Sequence, residues 1–456
     1  MSHSTYPDEL YLAPTKSCRG DILLPGSKSI ANRALLMAAL CDGGTTELDN
    51  LLDSDDTQFM RQALTALGVA HGTRQQSDKD LAPTPESTIA NLKWQVTGCG
   101  GHWPQQPSSL YLGNAGTAMR PLLAVLALTW QGGPLKLHGE PRMHERPLGP
   151  LLSALRSLGC ELECEASDGY PPIIIRPRQS LAAPAKVKTL SIDGSLSSQF
   201  ISALLMALPL APHDTELTLT GEIVSRPYIE LTIAMLAKFG IEIVAKATDC
   251  YVIRGQQRYQ SPRNYWIEGD ASAASYWLAA GVLGQGPVTV HGAGFESLQG
   301  DVGFAEVLIQ MGAAIQVAAQ RMTARGVRQP LQGIDVDLNH IPDAAMTLAP
   351  LALFAKGPTR IRNVANWRLK ETDRLAAMAT ELRKTGADVE LHADGLTITP
   401  PQHWQAATID TYNDHRMAMC FALLSFAPTG VTIRDPSCCR KTYPDFFALY
   451  SQHCHE

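Results

Sequence analysis

Residues 26–40 read GSKSIANRALLMAAL, a Gly- and Ser-rich turn with one lysine, then a run packed with Ala, Leu and Met. Past Arg33 the run holds no charge, so the helix it predicts has no polar face and must be buried on every side. The design recurs as GNAGTAMRPLLAVLAL from Gly113, GSLSSQFISALLMAL from Gly194, GDASAASYWLAAGVL from Gly269, PDAAMTLAPLALFA from Pro342 and YNDHRMAMCFALLSF from Tyr412. The six starts lie roughly 70 to 87 residues apart, longer than the ~20–50 of solenoid repeats, so each unit holds several elements.

After each of these helices comes a short alternating run that predicts a strand, as at 135–138 (LKLH), 216–220 (ELTLT), 288–291 (VTVH), 360–362 (RIR) and 431–434 (VTIR). A second, amphipathic helix follows in each unit, at 58–68, 148–159, 229–240, 303–312, 375–386 and from Asp445. In 148–159 the apolar residues at 148, 151, 152, 155 and 158 share one face, and Gly159 fits the C′ position. More alternating strands, such as GADVEL at 386–391, complete the units. The chain therefore reads as six copies of helix–strand–helix–strand, an α/β architecture with the apolar helices inside and the strands outside. Six copies divide naturally into two groups of three. The stretch 71–93 is polar, has two prolines, and reads as a variable hairpin or insertion.

The 456 residues are about three times the usual single-domain length, which also calls for two or more cores. A composition of 45% hydrophobic and 18% charged residues is globular. The net charge is −6 and no long basic run occurs, which excludes sequence-independent nucleic-acid binding through phosphates. Apolar stretches reach about ten residues, as at 122–130, against the ~20 that span a bilayer, and the polar start is no secretory signal. Ten cysteines, at 18, 41, 99, 160, 164, 250, 420, 438, 439 and 454, form no CxxC pair and no Cys/His ligand spacing. Reduced cytosolic thiols, most of them buried, are expected.

Against this acidic total, the turns that open the helices carry cations. Lys28 and Arg33 stand in the first, Arg120 in the second and Arg416 in the sixth. The turns before the second helices add Arg142, Arg146, Arg226, Arg368, Lys370 and Arg374, with Lys441 near the end. Ser27, Ser29, Thr117, Ser197, Ser198 and Gln199 accompany them. A helix N-terminus has unpaired N–H groups and a partial positive charge, so added Lys, Arg and Ser make it a phosphate or carboxylate site. One such turn is ordinary N-capping; the same design at several turns points to a small ligand with several negative charges. Pro25-Gly26-Ser27-Lys28-Ser29 lacks the Walker A spacing, and no GxGxxG, GxSxG or HExxH motif is present. Asp53-Ser54-Asp55-Asp56 offers three acids without a second ligand set and reads as the cap of the next helix. Asp343 and Glu371 read singly as an N-cap and a surface ion pair, yet both fall among the helix-opening cations, where a general acid and base would be needed.

The segments LPGSKSIANRALLMAAL, LGNAGTAMRP, GEPRMHERP, DGSLSSQF, VSRPYI, NHIPDAAMTLAPLALFAKG, NWRLKETDRLAAMATELRKTGA, YNDHRMAMCFAL and KTYPDFF, in order from about residue 20 to 447, resemble the EPSP synthase (3-phosphoshikimate 1-carboxyvinyltransferase) family. The NAGTAMRP form resembles its glyphosate-sensitive class. The resemblance implies two inside-out α/β barrel domains of three units each, one spanning 26–267 and the other 1–25 plus 268–456, with the active site in the cleft between them. It implies transfer of the enolpyruvyl group of phosphoenolpyruvate to the 5-hydroxyl of shikimate 3-phosphate in the shikimate pathway, with no metal or organic cofactor. A monomeric, cytoplasmic enzyme without nucleic-acid or membrane partners is implied.

By motif match, shikimate 3-phosphate falls to Lys28, Ser29, Arg33, Ser197, Ser198, Gln199, Ser225, Asp343, Asn366 and Lys370, with Arg226 and Tyr228 bordering it. Phosphoenolpyruvate falls to Lys28, Gly116, Arg142, Gln199, Arg374, Arg416 and Lys441. The family pattern makes Asp343 the proton acceptor and Glu371 the donor, with Lys28 assisting; a protonated Glu371 requires a raised pKa. His415 is open to a proton relay or a structural role. A side chain at Gly116 is expected to crowd glyphosate and phosphoenolpyruvate. The related transferase acting on UDP-N-acetylglucosamine uses another opening motif and a loop cysteine that the cysteines here do not match. A non-catalytic polyanion-binding protein on this scaffold could lose Asp343, Lys28 or Glu371, and all three are present.

Overall fold

The computed structural model describes residues 6–73, 92–177, 187–326 and 330–455. Most of the polar stretch at 71–93 lies outside them. Contacts divide the described chain into two units, one of residues 26–267 and one of residues 6–25 with 268–455.

Six helices of small and apolar residues form the two interiors. In the first unit they are Lys28–Leu40, Gly116–Thr129 and Ser198–Ala207. In the second they are Ala271–Leu283, Ala345–Leu351 and His415–Phe421. The last two are buried at every position, and Ala271–Leu283 at all but Leu283. In the first unit the accessible residues of the opening turns are polar: Ser29, Thr117 and Gln199. Alanine and leucine serve here twice, as strong helix formers and as side chains with no polar atom to satisfy.

The sheets follow one plan. Ser109–Tyr111 runs parallel to Leu135–His138, with the helix Gly116–Thr129 as the crossover. Leu135–His138 then pairs antiparallel with Ile173–Ile175, which pairs with Leu162–Cys164. Val187–Asp193, Asp214–Thr220, Cys250–Ile253 and Ile243–Ala247 repeat the order, and so do Asp335–Asp337, Thr359–Arg362, Leu396–Thr399 and Asp388–Leu391. Along Asp214–Thr220 the buried residues are Thr215, Leu217 and Leu219, so one face meets the helices and the other meets water.

Where the chain passes between units, the plan is kept by exchange. Thr45–Leu51 takes its parallel neighbour from Asn264–Trp266, and Val288–His291 takes its own from Gly20–Leu23. The sixth sheet replaces the hairpin with Glu9–Leu12, antiparallel to Val431–Arg434. The outer helices form as the periodicity predicts, including Gly149–Ser157 and Arg374–Arg383. Gly159 and Gly386 follow them at φ of 88° and 92°, a conformation that costs a β-carbon-bearing residue about 1 kcal/mol or more.

Candidate active site

In the unit of residues 26–267, the first helix begins on Lys28, whose Nζ lies 3.0 Å from Asp56 Oδ2 with both side chains buried. Asn32 donates to Thr117 Oγ1 at 2.8 Å and to the Asp56 carbonyl at 3.3 Å, joining two helix openings. One turn on, Arg33 is 4% exposed. It donates to Thr232 Oγ1 at 2.9 Å and to the Ser29 carbonyl at 2.9 Å, and among the described residues no carboxylate meets it. Burial pulls its pKa down to about 10. A desolvated guanidinium with no acidic partner is stabilised by any anion that arrives.

The other helix openings of this unit supply neutral donors. Ser197 caps its helix by accepting from Gln199 N at 3.2 Å, and Ser198 is buried beside it. Arg120 lies over the Phe200 ring at 5.8 Å. Ser225 is buried with φ of 56°, a left-handed conformation unusual for a serine, which turns the chain into the helix Pro227–Lys238. Thr232 and Ser202 both donate to the Tyr228 carbonyl, at 2.7 and 3.3 Å, so the residue holding Arg33 is itself fixed.

In the other unit, one arginine organises the carboxylates. Arg374 is 1% exposed and reaches three acids: Nη1 bonds Asp343 Oδ1 at 3.1 Å, Nη2 bonds Glu371 Oε2 at 3.0 Å and Asp414 Oδ1 at 3.3 Å, and Nε bonds Asp414 Oδ2 at 2.7 Å. Asp343 also receives Arg416 Nη2 at 3.1 Å and Lys370 Nζ at 3.5 Å, while Glu371 receives Lys441 Nζ at 3.5 Å. Four cations thus face three carboxylates. Trp367 Nε1 donates to the Pro342 carbonyl at 2.7 Å, which pins the turn ending in Lys370 against the turn of Asp343. Asn366 is buried in that same turn.

Burial alone would raise the pKa of Asp343, but Arg416, Lys370 and Arg374 outweigh it and hold the carboxyl well below the usual range. Such a group adds stability that is fully present above the unfolded value of about 3.9 and is lost as pH falls through the folded value. Acidification from neutrality to below that window should therefore lower the urea midpoint more in the native protein than in Asp343→Asn.

The structure brings Asp343, Glu371, Lys370, Arg374, Arg416 and Lys441 into one network, and Glu371 is a buried partner in it instead of a surface ion pair. It places Lys28, Arg33, Ser197, Ser198 and Gln199 at the helix openings of the other unit. Arg142 pairs with Glu145 at 2.8 Å, and Arg226 with Asp249. Ser54, not the acids beside it, caps the helix Asp55–Ala66, and Asp53 bonds Arg61. The sequence reading missed Asp56 and Asp414 as partners of Lys28 and Arg374. The signal for Asp414 was its place one residue before the His-Arg pair, where it also caps the helix by accepting from Arg416 N at 2.9 Å. His415 is fully buried, its Nδ1 3.6 Å from Asp414 Oδ1.

A family model described as EPSP synthase (3-phosphoshikimate 1-carboxyvinyltransferase) matches residues 12–449. The chain belongs to the EPSP synthase family. It is 55% identical to a 3-phosphoshikimate 1-carboxyvinyltransferase of Idiomarina loihiensis, covering 98% of this chain and 99% of that one. It is 50% identical to another from Cupriavidus necator, covering 97% and 99%. Among solved structures it resembles an EPSP synthase from Acinetobacter baumannii, with a TM-score of 0.76 at 24% identity and 98% of each chain covered, a likeness of fold. The protein is an enzyme, a transferase of the shikimate pathway to aromatic compounds. Among the described residues no helix is long and apolar enough to cross a membrane.

Proposed function

We infer that this enzyme moves the enolpyruvyl group of phosphoenolpyruvate onto the 5-hydroxyl of shikimate 3-phosphate, drawing on both sets of residues. The observation that carries the reading is the Asp343 carboxylate among three cations, Lys370, Arg374 and Arg416. Held ionised, it is ready to accept a proton. It is a weak base only while those cations face it. Substrate phosphate and carboxylate groups compete for the same cations, and each cation drawn off Asp343 raises its basicity at the moment a hydroxyl must be deprotonated.

Arg33 and Lys28, with Ser29, Ser197, Ser198, Gln199 and Ser225, take shikimate 3-phosphate, joined by Asn366, Lys370 and Asp343. Phosphoenolpyruvate falls to Arg374, Arg416, Lys441 and Arg142, with Lys28, Gly116 and Gln199. Glu371 gives a proton to the methylene carbon of phosphoenolpyruvate, C2 becomes electrophilic, and the 5-hydroxyl attacks it as Asp343 takes the hydroxyl proton. Phosphate then leaves the tetrahedral adduct as a proton returns from the new methyl group. For Glu371 to carry a proton, ligand anions must first take over Arg374 and Lys441, its partners in the free protein. Lys28, against Asp56, assists proton transfer, and the arginines hold charge opposite charge.

Three buried helices with three one-face-exposed sheets in each unit support reading each as an inside-out α/β barrel. We also assign a monomer acting in the cytoplasm, in keeping with ten cysteines that are all free thiols. Phosphate release should require both substrates and should be inhibited by glyphosate in competition with phosphoenolpyruvate. Release without shikimate 3-phosphate, or with neither substrate bound by calorimetry, would sink the assignment of the acceptor.

A further inference from the structure

We propose that Arg146 is a positioning residue for phosphoenolpyruvate, acting through the Asn114–Gly116 turn. Arg146 follows the short helix Pro141–His144 and is 3% exposed. A guanidinium so buried is normally neutralised by a carboxylate. Here none meets it among the described residues. Its Nη1 donates instead to the Asn114 carbonyl at 3.1 Å and to Asn114 Oδ1 at 2.9 Å.

That same carbonyl accepts from Gly116 N at 3.2 Å, so one oxygen is shared by the turn's own N–H and by a guanidinium. The second terminal nitrogen, Nη2, would lie 2.8 Å from a β-carbon built on Gly116, and Arg120 Nη1 would lie 2.2 Å from it. Real β-carbons do not sit that close to another heavy atom, so a side chain at position 116 must displace the tips of these two arginines, which can move where backbone could not. Arg146 Nε is buried without a hydrogen-bond partner, so the hydrogen bonds of this guanidinium to the turn run through its tip.

The turn's shape is thus set by the tip of Arg146. A fork reaches two oxygens of one residue with fixed geometry, whereas a lysine keeps the charge and loses the fork. Arg146→Lys therefore separates geometry from field. It also predicts coupling: a methyl at position 116 pushes the guanidiniums aside and removes what Arg146 contributes.

The inference rests on the assignment of Gly116 to phosphoenolpyruvate, and steady-state kinetics on R146K, G116A and the double variant keep the two apart. R146K should raise the KM for phosphoenolpyruvate about 10- to 100-fold, the scale of lost charge-assisted hydrogen bonds, with the KM for shikimate 3-phosphate changed about 2-fold or less and Tm nearly kept. In the G116A background the same change should cost about 3-fold or less. If G116A is silent, the assignment of Gly116 fails and the inference with it. If G116A acts but R146K is silent, or R146K raises both KM values together with a fall in Tm, or the two effects simply multiply, the positioning role alone is overturned.

Discussion

Asp343→Asn is expected to lower kcat by about 10²- to 10⁴-fold, the range spanned by a positioned proton acceptor. The substitution keeps the size of the side chain and its place between Arg374, Arg416 and Lys370. What it removes is basicity and one negative charge. With that charge gone, four cations face two carboxylates, and the site becomes more attractive to anions. Any loss of hydrogen bonding to shikimate 3-phosphate is partly offset, so its KM should move by about tenfold or less. A large fall in kcat with substrate binding retained by calorimetry is the outcome that marks a catalytic group. A change in kcat below about tenfold would remove Asp343 from the role of acceptor.

The sequence disclosed the elements of this fold because their signals are local. An apolar helix with no polar face, a strand such as VTVH and a glycine closing a helix each declare themselves within a few residues, and they appear at Ala271–Leu283, Val288–His291 and Gly159. The strand exchange did not show. Asn264–Trp266 has three residues, too few for alternation to be seen, and its partner Thr45–Leu51 lies more than two hundred residues away. The cations of the carboxylate network were legible because lysine and arginine stand out at helix openings. Their partners were not. A carboxylate that caps a helix and one that neutralises a distant arginine look alike in sequence, and Asp414 does both, accepting from Arg416 N and from Arg374 Nε. The depth of Glu371 was hidden for a related reason: adjacency to Lys370 and Arg374 gives an ion pair in sequence but not its burial, nor the second partner Lys441 at 3.5 Å.

The depth of that network sets the second large effect. Arg374→Met should cost about 3–5 kcal/mol of stability, the usual consequence of stripping the partner from a buried charge. The reason lies in which acid is stranded. Asp343 keeps Arg416 and Lys370, and Glu371 keeps Lys441, but Asp414, 0% exposed, loses the guanidinium that bonds it at 2.7 and 3.3 Å. Burial alone would make Arg374 harder to keep charged, and Asp414, then Glu371 and Asp343, hold it firmly protonated, so arginine and acid depend on each other. Adding Asp414→Asn should return much of the stability, because asparagine can still cap the helix His415–Phe421 while the buried charge is gone. Activity should not return, since the arginine proposed above to hold phosphoenolpyruvate is still missing. Urea unfolding of the single and double variants beside phosphate-release assays tests both halves. If the double variant is no more stable than Arg374→Met, the loss came from packing around a long side chain and not from the stranded charge.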